Sequence, residues 1–235
     1  MQRRNGYGQF CPVAKAAEII AERWTPLILR ELLSESHRFN DIHRGVPLMS
    51  KSLLSKRLKE LEYAGLIVHR KPSGSTDHGY YLTEAGEALR PIIMGMGEWG
   101  HRYVRSNFDH QDLDPSLLMW DIRRCARADQ LPYRRTVIEF DFEDQSGAQR
   151  FWWLLKEAGS QTLDLCLQHP GYDVDLTVTS DLKTLTSIWM GELQIAVALR
   201  SRKLQLDGDH GLRLSFEDWI GLSIFAQLSG GDGGA

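Results

Sequence analysis

From residue 12 onward, apolar side chains recur at three- and four-residue intervals between short clusters of turn residues, a pattern that predicts a series of compact helices. PVAKAAEIIAER, residues 12–23, places Pro in a first turn and sets Val13, Ala16, Ala17, Ile20 and Trp24 on one face. Thr25 and Pro26 restart a helix as cap and first residue, with Leu27, Ile28, Leu32 and Leu33 as its inner stripe. RFNDIHRGV supplies a third, short helix through Phe39, Ile42 and Val46, stopped by Gly45 and Pro47. In SKSLLSKRLKELEYAGL, Ser50 caps a fourth helix, Leu53, Leu54, Leu58 and Leu61 form one side, and Gly65 stands where the helix ends. LIVHRK and YYLT then read as two strands of a hairpin with a long tip, PSGSTDHG. Thr83 caps a helix over about residues 84–105, whose Leu89, Ile92, Ile93, Met96, Trp99 and Tyr103 are more apolar surface than one small domain covers. That surplus implies a partner.

The pattern changes after residue 106. NFDHQDLDP is polar, and with the short amphipathic stretch SLLMWDIRRCA it makes a linker and helix over residues 107–132. TVIEFDF, RFWWLLK, TLDLCLQ and YDVDLTVT follow as strands, separated by turn residues such as Gly147, Gly159 and Pro170–Gly171, and four strands in succession predict an antiparallel meander. DLKTLTSIWMGELQIAVALRS is helical with a break at Gly191, KLQLDG returns to strand, and LSFEDWIGLSIFAQL closes as helix. The expected fold class is therefore α+β: a helical domain at 1–106, and at 133–228 a domain of helices on a mainly antiparallel sheet. The Gly-rich end, residues 229–235, has nothing to bury and is expected to be disordered.

Charge separates the same two halves. Residues 1–106 hold 16 basic and 11 acidic side chains, whereas the remainder holds 12 and 20, so a net charge of -3 conceals a basic and an acidic domain. No apolar run approaches the ~20 residues that span a bilayer, and no apolar core follows Arg3 and Arg4, so neither a membrane partner nor a leader is expected and the location expected is cytoplasmic. Cys11, Cys125 and Cys166 are too few and scattered for a disulfide framework. The eight histidines show no metal-binding spacing, and no phosphate loop or nucleophile motif is present, so no metal, cofactor or enzymatic activity is expected.

Helices, hairpin and trailing helix in this order are the parts of a winged helix-turn-helix, in which the helix before the hairpin enters the major groove of double-stranded DNA. With its leucines inward, that helix leaves Ser50, Lys51, Ser52, Ser55, Lys56 and Lys59 outward with no acid before Glu60, a set able to neutralise phosphates and reach base edges. Glu60 and Glu62 begin a zone expected to face the protein and its wing. Arg38, Arg70 and Lys71 complete the candidate DNA contacts. An amphipathic helix with a solvated basic face has the same pattern, and context distinguishes the two. CPV, WTPLILRELL, RFNDI, LMSKSLLSKRLKELEYAGLI, Y-x-LT-xx-G and a closing WG, from Cys11 to about Gly100, resemble the HxlR family of bacterial transcription regulators. The resemblance implies a dimeric winged-helix repressor or activator, its first and last helices forming the dimer interface. The segment SGSTDHG departs from the family's basic wing, carrying Asp77 there, so its tip is expected to hold phosphate weakly.

The resemblance also implies an oxidant- or electrophile-sensing role for Cys11, whose thiolate Lys15 and a helix N-terminus would favour; the other reading is a small apolar residue beside the first helix. In the acidic half, Trp152, Leu154, Leu165, Ile188, Trp189, Trp219 and Phe225 are large side chains that either fill a core or line an apolar pocket. DVDLTVTSDLKTLTSIWMGELQIAVALRSRKLQLDGD resembles the sterol-carrier-protein-like fold, which implies a sheet and helices around an apolar tunnel. The combined expectation is a homodimeric regulator on a pseudo-palindromic operator, controlled by a small apolar ligand or by oxidation of Cys11. The alternative is a hydrophobic-ligand or lipid carrier whose basic helix meets another partner.

Overall fold

The computed structural model describes residues 6–71, 78–104 and 113–226. The hairpin tip with Gly74 and Asp77, residues 107–112 of the expected linker and the tail at 229–235 lie outside the described residues. The chain divides by its internal contacts into two compact units, Met1–Gly97 and Glu98–Ala235.

In the first unit, α1 (Pro12–Ile20) begins on its proline, and α2 (Thr25–Leu33) follows a tight corner at Trp24. The cap of α2 is Trp24 itself, in a left-handed conformation with φ 77°, so Thr25 and Pro26 occupy the first turn and Thr25 is buried. Helices α3 (Phe39–Arg44) and α4 (Lys51–Tyr63) form the helix-turn-helix pair. Between them, a Cβ at Gly45 would overlap the carboxylate of Glu31, which is fully buried. Arg30 binds that carboxylate at 2.8 Å and the Gly45 carbonyl at 2.9 Å, tying α2 to the end of α3.

Helix α4 ends because Gly65 takes φ 75°, and the N–H groups of Gly65 and Leu66 turn back to the carbonyls of Glu62 and Leu61. This reversal feeds β1 (Ile67–Arg70), which pairs antiparallel with β2 (Gly79–Leu82), Ile67 opposite Leu82. Ile28, Leu32, Ile42, Met49, Leu54, Leu58 and Ile67 make one core beneath them. The helix expected over 84–105 is two helices, α5 (Glu84–Glu87) and α6 (Arg90–Tyr103). Pro91 accounts for the division, because its ring has no N–H to continue the ladder and collides with the carbonyl four residues back.

In the second unit, α7 (Pro115–Cys125) is capped by Asp114, and its Leu118, Met119 and Ile122 are buried in the core. The helix expected to belong to a linker is thus part of the domain that follows. Strands β3 (Thr136–Phe142), β4 (Phe151–Lys156) and β5 (Asp164–Cys166) form an antiparallel meander. The chain then returns past β3 and lays β6 (Leu176–Ser180) parallel to it, Ile138 opposite Leu176. After α8 (Leu182–Trp189) and α9 (Ile195–Arg200), β7 (Leu204–Gly208) pairs antiparallel with β6. The sheet order is β5-β4-β3-β6-β7, so the sheet is mixed and the four-strand meander is corrected to three. This order makes β3 central, and its Val137, Ile138, Phe140 and Phe142 are buried. The closing helix expected over LSFEDWIGLSIFAQL is shorter, α11 (Phe216–Ile220), ended by Gly221 at φ 63°, and a further short helix, α10 (His210–Leu214), precedes it.

Candidate nucleic-acid interface

The inner stripe of α4 divides its residues as their 3.6-residue period requires. Leu54, Leu58 and Leu61 are buried, and Lys51, Ser52, Lys56 and Lys59 are exposed, with Ser55 half-buried at the margin. Ser50 is exposed and its hydroxyl accepts the N–H of Leu53 at 3.3 Å, which fixes the helix start. Among the described residues, no carboxylate forms an ion pair with Lys51, Lys56 or Lys59. Three cations therefore stand on this surface without an ion-pair partner among the described residues.

Arg57, in the middle of the same basic run, has a different role. Its guanidinium reaches Glu22 and Glu60, each at 2.7 Å, and its side chain is mostly buried. It fastens α4 to the corner after α1 and is spent on the fold. Glu62 accepts the N–H of His69 at 3.1 Å, so this carboxylate faces β1, as the change of charge along α4 predicts. Tyr63 was not among the expected contacts, yet it is 79% exposed and shares the outer face with Ser52, Lys56 and Lys59. The signal was its 4-3-4 spacing with those three.

At the hairpin, Arg70 and Lys71 are exposed, and the Arg70 guanidinium lies 4.6 Å from the ring centre of Tyr81. Tyr81 stacks on His37, and the His37 carbonyl accepts the N–H of Tyr80 at 2.8 Å, so the segment before α3 braces the wing. Arg38, exposed at the start of α3, is next to this brace. Burial and the nearby Glu62 carboxylate raise the pKa of Tyr80, whose phenol stays neutral.

Cys11 is half-buried at the cap position of α1. The N–H groups of Ala14 and Val13 stabilise its thiolate and hold its pKa below that of an ordinary thiol. Lys15 does not supply the expected assistance, because its ammonium is paired with Glu18 at 3.1 Å. Burial raises the thiol pKa of Cys125 and of Cys166.

In the second unit, Trp152, Leu154, Ile188 and Trp219 are buried in one apolar cluster, with Leu165 and Trp189 packed against it. The indole N–H groups of Trp152 and Trp219 donate to the carbonyls of Gln149 and Leu212. Phe225 is half-buried and lies outside that cluster.

A helix-turn-helix with a basic outer face and a two-stranded wing defines a DNA-binding regulator of the winged-helix class. The chain belongs to the HxlR-like helix-turn-helix family, which its residues 19–108 match, and residues 124–220 match the SCP-2 sterol transfer family. An uncharacterized HTH-type transcriptional regulator of Bacillus subtilis, YvaP, is 36% identical over 102 residues, covering 43% of this chain and 94% of that protein. The HTH-type transcriptional regulator YodB of Bacillus subtilis is 32% identical over 95 residues, covering 40% and 85%. The crystal structure of quinone-bound YodB aligns at 30% identity with a TM-score of 0.34, covering 40% of this chain and 99% of that one. No helix among the described residues is long and apolar enough to cross a membrane.

Proposed function

We propose that the protein is a cytoplasmic, homodimeric transcriptional regulator that reads a pseudo-palindromic operator through α4. The observation that carries this reading is the outer face of α4, where Lys51, Lys56 and Lys59 stand exposed, without ion pairs among the described residues, beside Ser50, Ser52 and Ser55. Lysines neutralise backbone phosphates, and the short hydroxyls reach base edges. Arg38, Arg70 and Lys71 add phosphate contacts from either side. Dimerisation is supported by two exposed apolar rows: Phe10 and Val13 at the start of α1, and Ile92, Met96, Trp99 and Tyr103 along α6. Covering such rows with a second copy removes them from water and sets two recognition helices on one duplex, with half-sites ~10 base pairs apart.

Two inputs are compatible with this output. Cys11 has a favoured thiolate that oxidants and electrophiles attack, and the SCP-2 match supports an apolar ligand for the second unit. No catalytic step and no cofactor enter this reading. Footprinting on genomic fragments tests it: protection of two-fold symmetric sites, lost in Lys51→Ala/Lys56→Ala, is expected. Unchanged protection and salt dependence in that variant would overturn the assignment of α4.

A further inference from the structure

Beside the outer face of α4 lies a cleft of about 980 Å³, bounded on the other side by α1 and by Gly6 and Tyr7 ahead of it. We propose that this cleft binds a small organic carboxylate with an apolar body, and that its occupancy excludes DNA from α4. The inference rests on the reading of α4 as the DNA-contacting helix.

Size and lining set the ligand class. The volume is that of a small-molecule site, ~300–1,000 Å³. Ile19, Ala21, Leu61 and Tyr63 contribute apolar lining, which suits a ring or short hydrocarbon chain. The charge of the ligand follows from which lining groups already have partners. Glu18 is bound by Lys15 at 3.1 Å and by the N–H of Tyr7 at 3.0 Å. Glu22 and Glu60 are both bound by Arg57 at 2.7 Å. Lys56 and Lys59 also line the cleft and, among the described residues, form no ion pair. The single guanidinium of Arg57 offsets one of the two carboxylates it binds, so with Lys15 at Glu18 the group holds four cations against three acids, and Lys56 and Lys59 give the cleft a small net positive charge above an apolar lining. A carboxylate on an apolar body answers both features.

The coupling to DNA requires no change of conformation. Ser52, Ser55, Lys56 and Lys59 line the cleft and are also the residues assigned to DNA. A carboxylate held by the lysines neutralises the charge that phosphate needs, and its body occupies the surface the duplex would cover. This regulation is distinct from an apolar ligand in the second unit and from chemistry at Cys11.

The test uses the full chain, isotope-labelled, with three probes: 2-naphthoate, its neutral amide 2-naphthamide, and inorganic phosphate. Saturable amide shifts at Ala17, Ala21, Ser55 and Tyr63 are expected with naphthoate alone. Lys59→Gln should weaken naphthoate about two- to five-fold, the value of one exposed ion pair. Ala21→Tyr, at an exposed position lining the cleft, should abolish binding with an unchanged melting temperature. Naphthoate should raise the concentration of wild-type protein needed to half-saturate a labelled duplex, and should leave Ala21→Tyr unaffected. Shifts confined to residues 113–226, equal binding of the amide or of phosphate, or simultaneous binding of naphthoate and DNA at unaltered affinities would each overturn the proposal. A wild-type protein that bound no DNA in the absence of probe would instead overturn the reading of α4, so the two failures are distinguishable.

Discussion

Replacing Lys56 with alanine tests the outer face of α4 quantitatively. The side chain is exposed and unpaired among the described residues, so its removal leaves the leucine stripe and the Arg57 clamp intact. Each phosphate neutralised contributes about 0.9 to the slope of log affinity against log salt concentration. In a homodimer the substitution removes two such contacts, and the slope becomes shallower by about 1.8. Between about 50 and about 200 mM salt the wild type therefore loses roughly tenfold more affinity than the variant. Fluorescence anisotropy of a labelled duplex at four salt concentrations measures this directly. Lys183→Ala, an exposed lysine on α8, serves as the control and should leave the slope unchanged. Equal slopes for wild type and Lys56→Ala would refute the placement of this face against phosphate.

Three further outcomes follow from particular contacts. Ser50→Ala removes the acceptor for the Leu53 N–H and should cost ~1 kcal/mol, read by denaturant unfolding, with no loss if the cap is dispensable. Gly45→Ala forces a methyl group against the buried Glu31 carboxylate; a loss of ~1–3 kcal/mol is expected, and an unchanged melting temperature would show that Glu31 moves aside freely. Iodoacetamide labelling followed by mass spectrometry should begin at Cys11 as pH rises, because its pKa is lowered and those of Cys125 and Cys166 are raised. Since the folded-state pKa of Cys11 is the depressed one, its thiolate favours the fold above the unfolded-state pKa, and that contribution is lost as pH falls through the folded-state value. Earlier labelling of Cys166 would contradict the cap geometry.

The first unit was legible wherever local chemistry decides local structure. Ser50, Gly65 and Thr83 mark ends that their own side chains or backbone freedom impose, and the leucine spacing of α4 leaves only one face to bury. Arg57 was not legible as a clamp, since its partner Glu22 is 35 residues earlier and the intervening corner depends on the left-handed Trp24. Pro91 marks the division of the trailing helix in the sequence itself, because proline cannot continue the hydrogen-bond ladder. In the second unit, YDVDLTVT alternates identically whether its neighbour runs parallel or antiparallel, so the pairing of β6 with β3 is decided by the long return from β5. The helix at 115–125 looked like part of a linker because its burial comes from the distant sheet. For the site, the outward lysines and serines of α4 were visible as a pattern. The cleft was not, because it joins α1 to α4 across more than thirty residues of chain.

Selection of bound duplexes from a randomised library by the full chain, in parallel with a Ser52→Ala/Lys56→Ala variant, addresses sequence reading by α4 most directly. The account predicts a two-fold symmetric motif for the wild type and a weakened or altered motif for the variant. An unenriched library, or the same motif at the same strength from both proteins, would contradict it.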